Sequence, residues 1–140
     1  MPVTPTGYGH VRLTVTDVAR SRAFYERVFG FPVAFELPAD ADDATRAQLS
    51  FLYGGVIYAL PGGGLLGLRP VAPPGDRFDE DRVGLDHLSL AVSTVAELDD
   101  AVALLDGAGI AHGGVKDIGV ASILEFRDPD GIALELVAGA

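Results

Sequence analysis

Gly9-His10-Val11-Arg12-Leu13-Thr14-Val15-Thr16 is matched further along by Asp86-His87-Leu88-Ser89-Leu90-Ala91-Val92-Ser93. The two histidines lie 87 − 10 = 77 residues apart. Gly30 and Gly107, which close the helical stretches that follow, are separated by the same 107 − 30 = 77. A constant offset of this kind marks two similar modules in one chain. In the first segment Val11, Leu13 and Val15 share one face and His10, Arg12 and Thr14 the other, the period of a half-buried strand. Two equivalent strands therefore carry an imidazole at the same position.

The pattern extends outward from each strand. Asp17 is placed to cap a helix in which Val18, Phe24, Tyr25 and Val28 recur at helical spacing up to Gly30. Residues 32–37 read as a strand, the acidic stretch 38–44 as a loop, and 48–60 as strand-like around Gly54-Gly55. After the turn at 61–64, residues 65–69 form a short last strand. Pro73-Pro74-Gly75 marks a linker. In the second half, residues 85–92 read as a strand. Thr94 with Glu97 makes a capping box, and Val95, Leu98, Val102 and Leu105 form a buried helical stripe. Residues 110–115 read as an edge strand. Asp128-Pro129-Asp130-Gly131 is a strong turn between strands at 120–126 and 132–137. Each half is strand–helix–strand–strand–strand, so the fold class is α+β. A single bipartite domain over 1–140 is expected, with module one at about 6–70, a linker at about 71–84 and module two at about 85–138.

Composition narrows the function. The chain has 140 residues, 49% of them hydrophobic, enough for one core. Its formal charge of −10 disfavours nucleic acid and anionic membrane surfaces as partners. The absence of cysteine excludes disulfides, thiolate metal sites and cysteine nucleophiles. With no signal-peptide pattern and no run of the ~18–20 apolar residues that span a bilayer, a cytoplasmic protein is expected. The P-loop, dinucleotide and Gly-x-Ser-x-Gly patterns do not occur.

Parity in the last hairpin locates a third chemical group. Leu134 and Leu136 share a face, as do Leu124 and Phe126, and these are expected to meet the helix. Ala133, Glu135 and Val137 point the other way, as do His10 and His87 on their strands. A carboxylate inside a short apolar strand is costly unless exposed, paired or bound to metal. Two imidazoles and one carboxylate suit a divalent ion with open positions: Fe(II), Mn(II), Zn(II), Co(II) or Ni(II). On the same faces, Arg12, Thr14 and Ser89 are candidate substrate contacts. Arg12 suits a carboxylate or phosphate, or else a salt bridge to an acidic neighbour. Glu125 is a candidate general base, extra ligand or rim carboxylate. Tyr8, Tyr53, Tyr58 and Phe35 are candidates for an apolar pocket or, for most of them, for core packing. His112, in a Gly-rich turn, is read as a surface residue.

These segments resemble the vicinal oxygen chelate superfamily of glyoxalase, bleomycin-resistance and extradiol dioxygenase proteins. The likeness runs through residues 9–17, Ser21-Arg22-Ala23-Phe24-Tyr25, Phe29-Gly30-Phe31, residues 85–92 and residues 126–136, with Asp-Pro-Asp-Gly four residues before Glu135 as its most specific piece. It implies paired βαβββ modules in an open, cup-shaped mixed sheet around a metal, with His10, His87 and Glu135 as the ligands. It also implies a small-molecule substrate and a homodimer, some members building each cup from modules of two chains. Members with a fourth ligand take it from the last strand of the first module, where this chain has Gly67 or Leu68. That disfavours glyoxalase I chemistry and favours a three-ligand dioxygenase- or transferase-type enzyme. The alternative is a non-enzymatic, bleomycin-resistance-type binder that sequesters a drug in an acidic cup.

Overall fold

Alternation of exposure along the strands shows which face of each sheet is covered. In a computed structural model that describes residues 1–139, Leu134, Leu136 and Ala138 are buried, while the intervening Ala133, Glu135 and Val137 are half-exposed. The chain divides into two compact units, Met1–Asp76 and Arg77 onward.

Unit one holds strands β1 (His10–Thr14), β2 (Val33–Glu36), β3 (Val56–Ala59) and β4 (Leu65–Arg69) in the order β1-β4-β3-β2. β1 runs parallel to β4, and the other pairs are antiparallel. Helix α1 (Val18–Val28) starts where the Asp17 carboxylate accepts the Arg20 amide at 3.0 Å, a cap whose loss typically costs about 1 kcal/mol. Ser21 and Tyr25 are its buried residues. Two polar ties anchor it to the sheet. The Tyr58 hydroxyl donates to Glu26 at 3.0 Å, and Arg22 reaches Glu36 at 2.7 Å. Burial, with the Glu26 carboxylate beside it, pushes the Tyr58 phenol well above its ordinary pKa.

The segment between β2 and β3 departs from expectation. Residues 43–48 form a short helix, α2 (Asp43–Gln48), capped by Asp42 on the Thr45 amide at 2.8 Å. A 3-10 turn over Ser50–Leu52 follows, so only Val56–Ala59 of the expected 48–60 strand is extended. The cap decides the start of the helix, and Leu52, which is buried, pins the turn. Gly55 is required by space: a Cβ there would sit 1.8 Å from the Leu68 carbonyl oxygen. Tyr53, just before, has a left-handed backbone with φ 51°, an unusual state for a non-glycine residue.

Unit two repeats the topology with β5 (Leu88–Val92), β6 (His112–Asp117), β7 (Ala121–Arg127) and β8 (Ala133–Gly139) in the order β5-β8-β7-β6. Helix α3 (Val95–Gly107) opens with the complete Thr94–Glu97 capping box. It packs on all four strands, with Leu98 and Leu105 fully buried and Val95 exposed. Val95 lies in the first turn, off the stripe that meets the sheet. The helix runs to Gly107, and the left-handed residue that ends it is Gly109, with φ 69°, so here the repeat offset grows by two residues. The chain before β5 is stapled to the β7–β8 hairpin. The Phe78 amide donates to Asp130 O at 3.0 Å and Arg77 to Pro129 O at 2.9 Å, while Arg127 pairs with Glu80. Asp128 is buried and accepts the amides of Asp130 and Ile132 at 2.9 and 2.8 Å, which fixes the hairpin turn. No helix among the described residues is long and apolar enough to cross a membrane.

Candidate functional site

In unit two the α3-free face of the sheet carries a pocket of about 450 Å³. His87 stands just before β5, and Glu135 is paired in register with Ser89. The His87 Nδ1 lies 2.5 Å from Asp86 Oδ1. Its Nε2 lies 3.9 Å from Glu135 Oε2, too long for a hydrogen bond. Both atoms can still reach one cation, since two coordination bonds of ~2.1 Å span such a gap. The other carboxylate oxygen, Oε1, accepts from Ser89 Oγ at 2.6 Å, which fixes the rotamer of Glu135. A carboxylate holding the far nitrogen of the imidazole, and a hydroxyl holding the far oxygen of the glutamate, are the outer supports that metal ligands usually carry. The Asp86 hydrogen bond raises the His87 pKa against the opposing effect of burial, and the charges of Glu135, Asp86 and Glu125 add to the rise.

Glu125 sits directly opposite Glu135 across β7 and β8. Two carboxylates so placed repel. Lys116, whose Nζ is 3.1 Å from Glu125 Oε2, offsets that repulsion. His112 departs from the reading of a surface turn. It opens β6, is half-buried and lines the pocket. Its Nδ1 accepts the Gly114 amide at 3.0 Å, leaving Nε2 to donate to Asp106 at 2.8 Å. With both nitrogens committed it is a wall, not a ligand. The signal in the sequence was Gly113-Gly114, which makes the irregular register between His112 and Val115.

In unit one, His10 and Arg12 line a smaller cavity of about 260 Å³ with Phe35, Phe51, Ile57 and Leu65, and Gly67 beneath. Arg12 is paired with Gly67 and Thr14 with Arg69. Thr14 is exposed and outside this cavity. Arg12 is the counterpart of Ser89, because 89 − 12 = 77, so Gly67 is the counterpart of Glu135. The position equivalent to Glu135 is therefore Gly67, not Leu68, and glycine has no side-chain donor. The arginine fills the space above it: a Cβ at Gly67 would meet Arg12 Cγ at 3.0 Å. Arg12 Nη2 donates to the Phe51 carbonyl, while its Nε is buried without a hydrogen-bond partner. No carboxylate pairs with Arg12 among the described residues, which removes the salt-bridge reading. Of the aromatic candidates, Phe35 lines the cavity and Tyr58 is core. Tyr8 is fully exposed, and Tyr53 lies under two guanidinium groups, 5.9 Å from Arg12 and 4.3 Å from Arg69. Among the described residues, neither unit by itself gathers three His, Asp or Glu side chains placed to hold a metal.

Known proteins share this fold. The chain is 30% identical over 132 residues to the uncharacterized protein YaeR of Escherichia coli K12, covering 91% of this chain and 92% of that one. It is 33% identical, with a TM-score of 0.80, to a crystal structure of a glyoxylase/bleomycin resistance protein/dioxygenase domain from Frankia sp. EAN1pec, covering 98% of this chain and all of that one. A mutant of the fosfomycin resistance protein FosX from Listeria monocytogenes, complexed with Mn(II) and 1S,2S-dihydroxypropylphosphonic acid, shares the fold. It is 16% identical with a TM-score of 0.73, covering 98% and 95% of the two chains. The sequence profile of the Glyoxalase/Bleomycin resistance protein/Dioxygenase superfamily matches residues 7–136. That match spans both βαβββ units and all three candidate ligands, and the chain belongs to this superfamily.

Proposed function

We propose that this chain is a metal-dependent vicinal oxygen chelate enzyme acting on a small oxygenated molecule, with His10, His87 and Glu135 as ligands of one divalent cation. The observation that carries the reading is the His87–Glu135 pair. Two donor atoms face each other 3.9 Å apart, each braced from behind by Asp86 or Ser89. His10 stands at the matching position of unit one, where it lines the cavity beside Arg12. When bound, the cation supplies Lewis acidity toward paired oxygen atoms. Glu125 is the group placed to take a proton on the face that carries Glu135, and Arg12 orients an anionic portion of the substrate. The absence of a fourth donor at Gly67 favours dioxygenase- or transferase-type chemistry over that of a lactoylglutathione lyase. The FosX fold seats the same combination proposed here, a divalent cation with an anionic, oxygen-rich ligand. A cytoplasmic homodimer is the proposed assembly.

The test is metal analysis of protein purified without chelator, followed by Mn(II) titration. Wild type is expected to bind stoichiometrically, while His87→Ala and Glu135→Gln weaken binding by more than the about 10–100-fold typical of losing an outer support. A wild type that takes up no divalent metal, or a His87→Ala variant that binds as tightly, ends the proposal. The four carboxylates around the unit-two pocket, Glu80, Asp86, Glu125 and Glu135, favour one rival, a metal-free binder of a cationic drug. That rival requires ligand binding and thermal stability that chelator leaves unchanged.

A further inference from the structure

The unit-one cavity is chemically unlike its counterpart. Its walls are Phe35, Phe51, Ile57 and Leu65, its polar lining is His10 and Arg12, and no carboxylate lines it. In a chain of net charge −10, an arginine with no acidic partner is unusual. An arginine whose Nε is also buried without an acceptor is costly, by about 1–3 kcal/mol for such a donor. The surroundings nevertheless hold it in place. The Phe51 carbonyl takes one N–H, the Tyr53 ring lies beneath it, and the absent side chain at Gly67 leaves the room it occupies. Arg69 lies against the same ring and also lacks a carboxylate partner among the described residues. Tyr53 adopts its strained left-handed backbone at this point, and such outliers gather at ligand-holding sites.

We propose that this cavity is a binding subsite for a small monocarboxylate with an aromatic or branched apolar body, its carboxylate on Arg12 and its body among Phe35, Phe51, Ile57 and Leu65. This deepens the role given to Arg12 above but does not depend on a bound metal. A planar guanidinium matches a planar carboxylate. One guanidinium in the lining suits a single negative charge. A volume of about 260 Å³ lies below the ~300–1,000 Å³ of drug-sized pockets, which limits the body to about one ring. The exposed rings of Phe35 and Phe51 offer apolar surface for a ligand body to cover, a body that an inorganic anion lacks.

The full-length protein is titrated in the presence of chelator with phenylacetate, phenylacetamide and inorganic phosphate, by calorimetry and by amide chemical shifts. Phenylacetate is expected to bind at least about tenfold more tightly than either of the others, with shifts at Phe51, Ile57 and Gly67. Arg12→Gln should weaken it about tenfold or more, and Arg12→Lys should restore part of the loss, which separates charge from folding. Because chelator keeps the metal site unloaded throughout this titration, failure of the metal site and failure of this subsite read differently. No phenylacetate binding, equal binding of phenylacetamide or phosphate, or an Arg12→Gln variant that binds normally would each overturn the proposal.

Discussion

At matching positions the two units make opposite choices. Unit two places Asp86 before its histidine and faces Ser89 with Glu135. Unit one places Gly9 before its histidine and faces Arg12 with Gly67. The backbone order is the same in both, and the last strand of each buries alternate leucines, Leu66 and Leu68 in β4 and Leu134 and Leu136 in β8. Topology and core thus tolerate complete reversal of charge on the opposite face, because side chains at alternate strand positions do not share an environment. Unit two became an acidic, donor-rich pocket and unit one an apolar one with a single cation. The fold alone does not specify either chemistry.

Substitutions in each unit probe that contrast. The largest effect is expected from Asp86→Asn, which makes the unit-two histidine resemble the one in unit one. Mn(II) affinity at about pH 8 should fall about 10–100-fold as the outer support is lost. Asp86 holds the His87 pKa up, so its removal lets the proton compete only at lower pH, and the acid edge of metal binding should move down. An unchanged affinity and edge would show that the Asp86–His87 contact supports nothing. The converse variant, Gly9→Asp, has room, since a Cβ at Gly9 meets nothing within 4 Å. It should strengthen binding by about 3–10-fold if His10 is a ligand.

Next in size is packing at Gly67. Gly67→Ala should destabilise the protein by about 1–3 kcal/mol, because the new Cβ presses on the Arg12 side chain. In an Arg12→Ser background the penalty should shrink by at least about 0.5 kcal/mol, as read from a denaturant double-mutant cycle. Additive losses would mean that the two residues do not share that space. Arg12→Ser with Gly67→Glu then copies the Ser89–Glu135 pair into unit one, and phenylacetate binding should be lost.

The smallest effect concerns the staple before β5. Arg127 holds the Glu80 carboxyl at about 2, against an ordinary 4.5. A depressed carboxylate pKa contributes stability that is present above the ordinary value and lost as pH falls through the depressed one. The difference in thermal midpoint between wild type and Glu80→Gln should therefore be constant above about pH 5 and vanish toward pH 2. The Glu80 side chain is partly exposed in this pairing, so the difference should be small and should shrink further in high salt. A gap that widens on acidification would contradict the assignment.

Legibility in the sequence was uneven for a physical reason. Period-two alternation in β1, β5 and β8, the Asp17 cap, the Thr94–Glu97 box and the Asp-Pro-Asp-Gly turn are local signals, and each matches an observed element. Residues 43–55 were misread because no buried residue on α2 announces that helix, while Gly55 answers to the distant carbonyl of Leu68. His112 was misread because its burial depends on Asp106, six residues before it, and on the irregular register that follows it. Arg12 was legible as a cation on the right face, but its lack of an acidic partner was not.

The sequence by itself determined the doubled βαβββ order, the face on which His10, His87 and Glu135 lie, and the family. All of these follow from short-range periodicity and contiguous motifs. Tertiary structure alone decided that Gly67 is the counterpart of Glu135, that Asp86 contacts His87 and Ser89 contacts Glu135, and that Arg12 rests unneutralised over Tyr53 in an apolar cavity. Those outcomes depend on strand register and on contacts between residues distant in the chain, which no local pattern encodes.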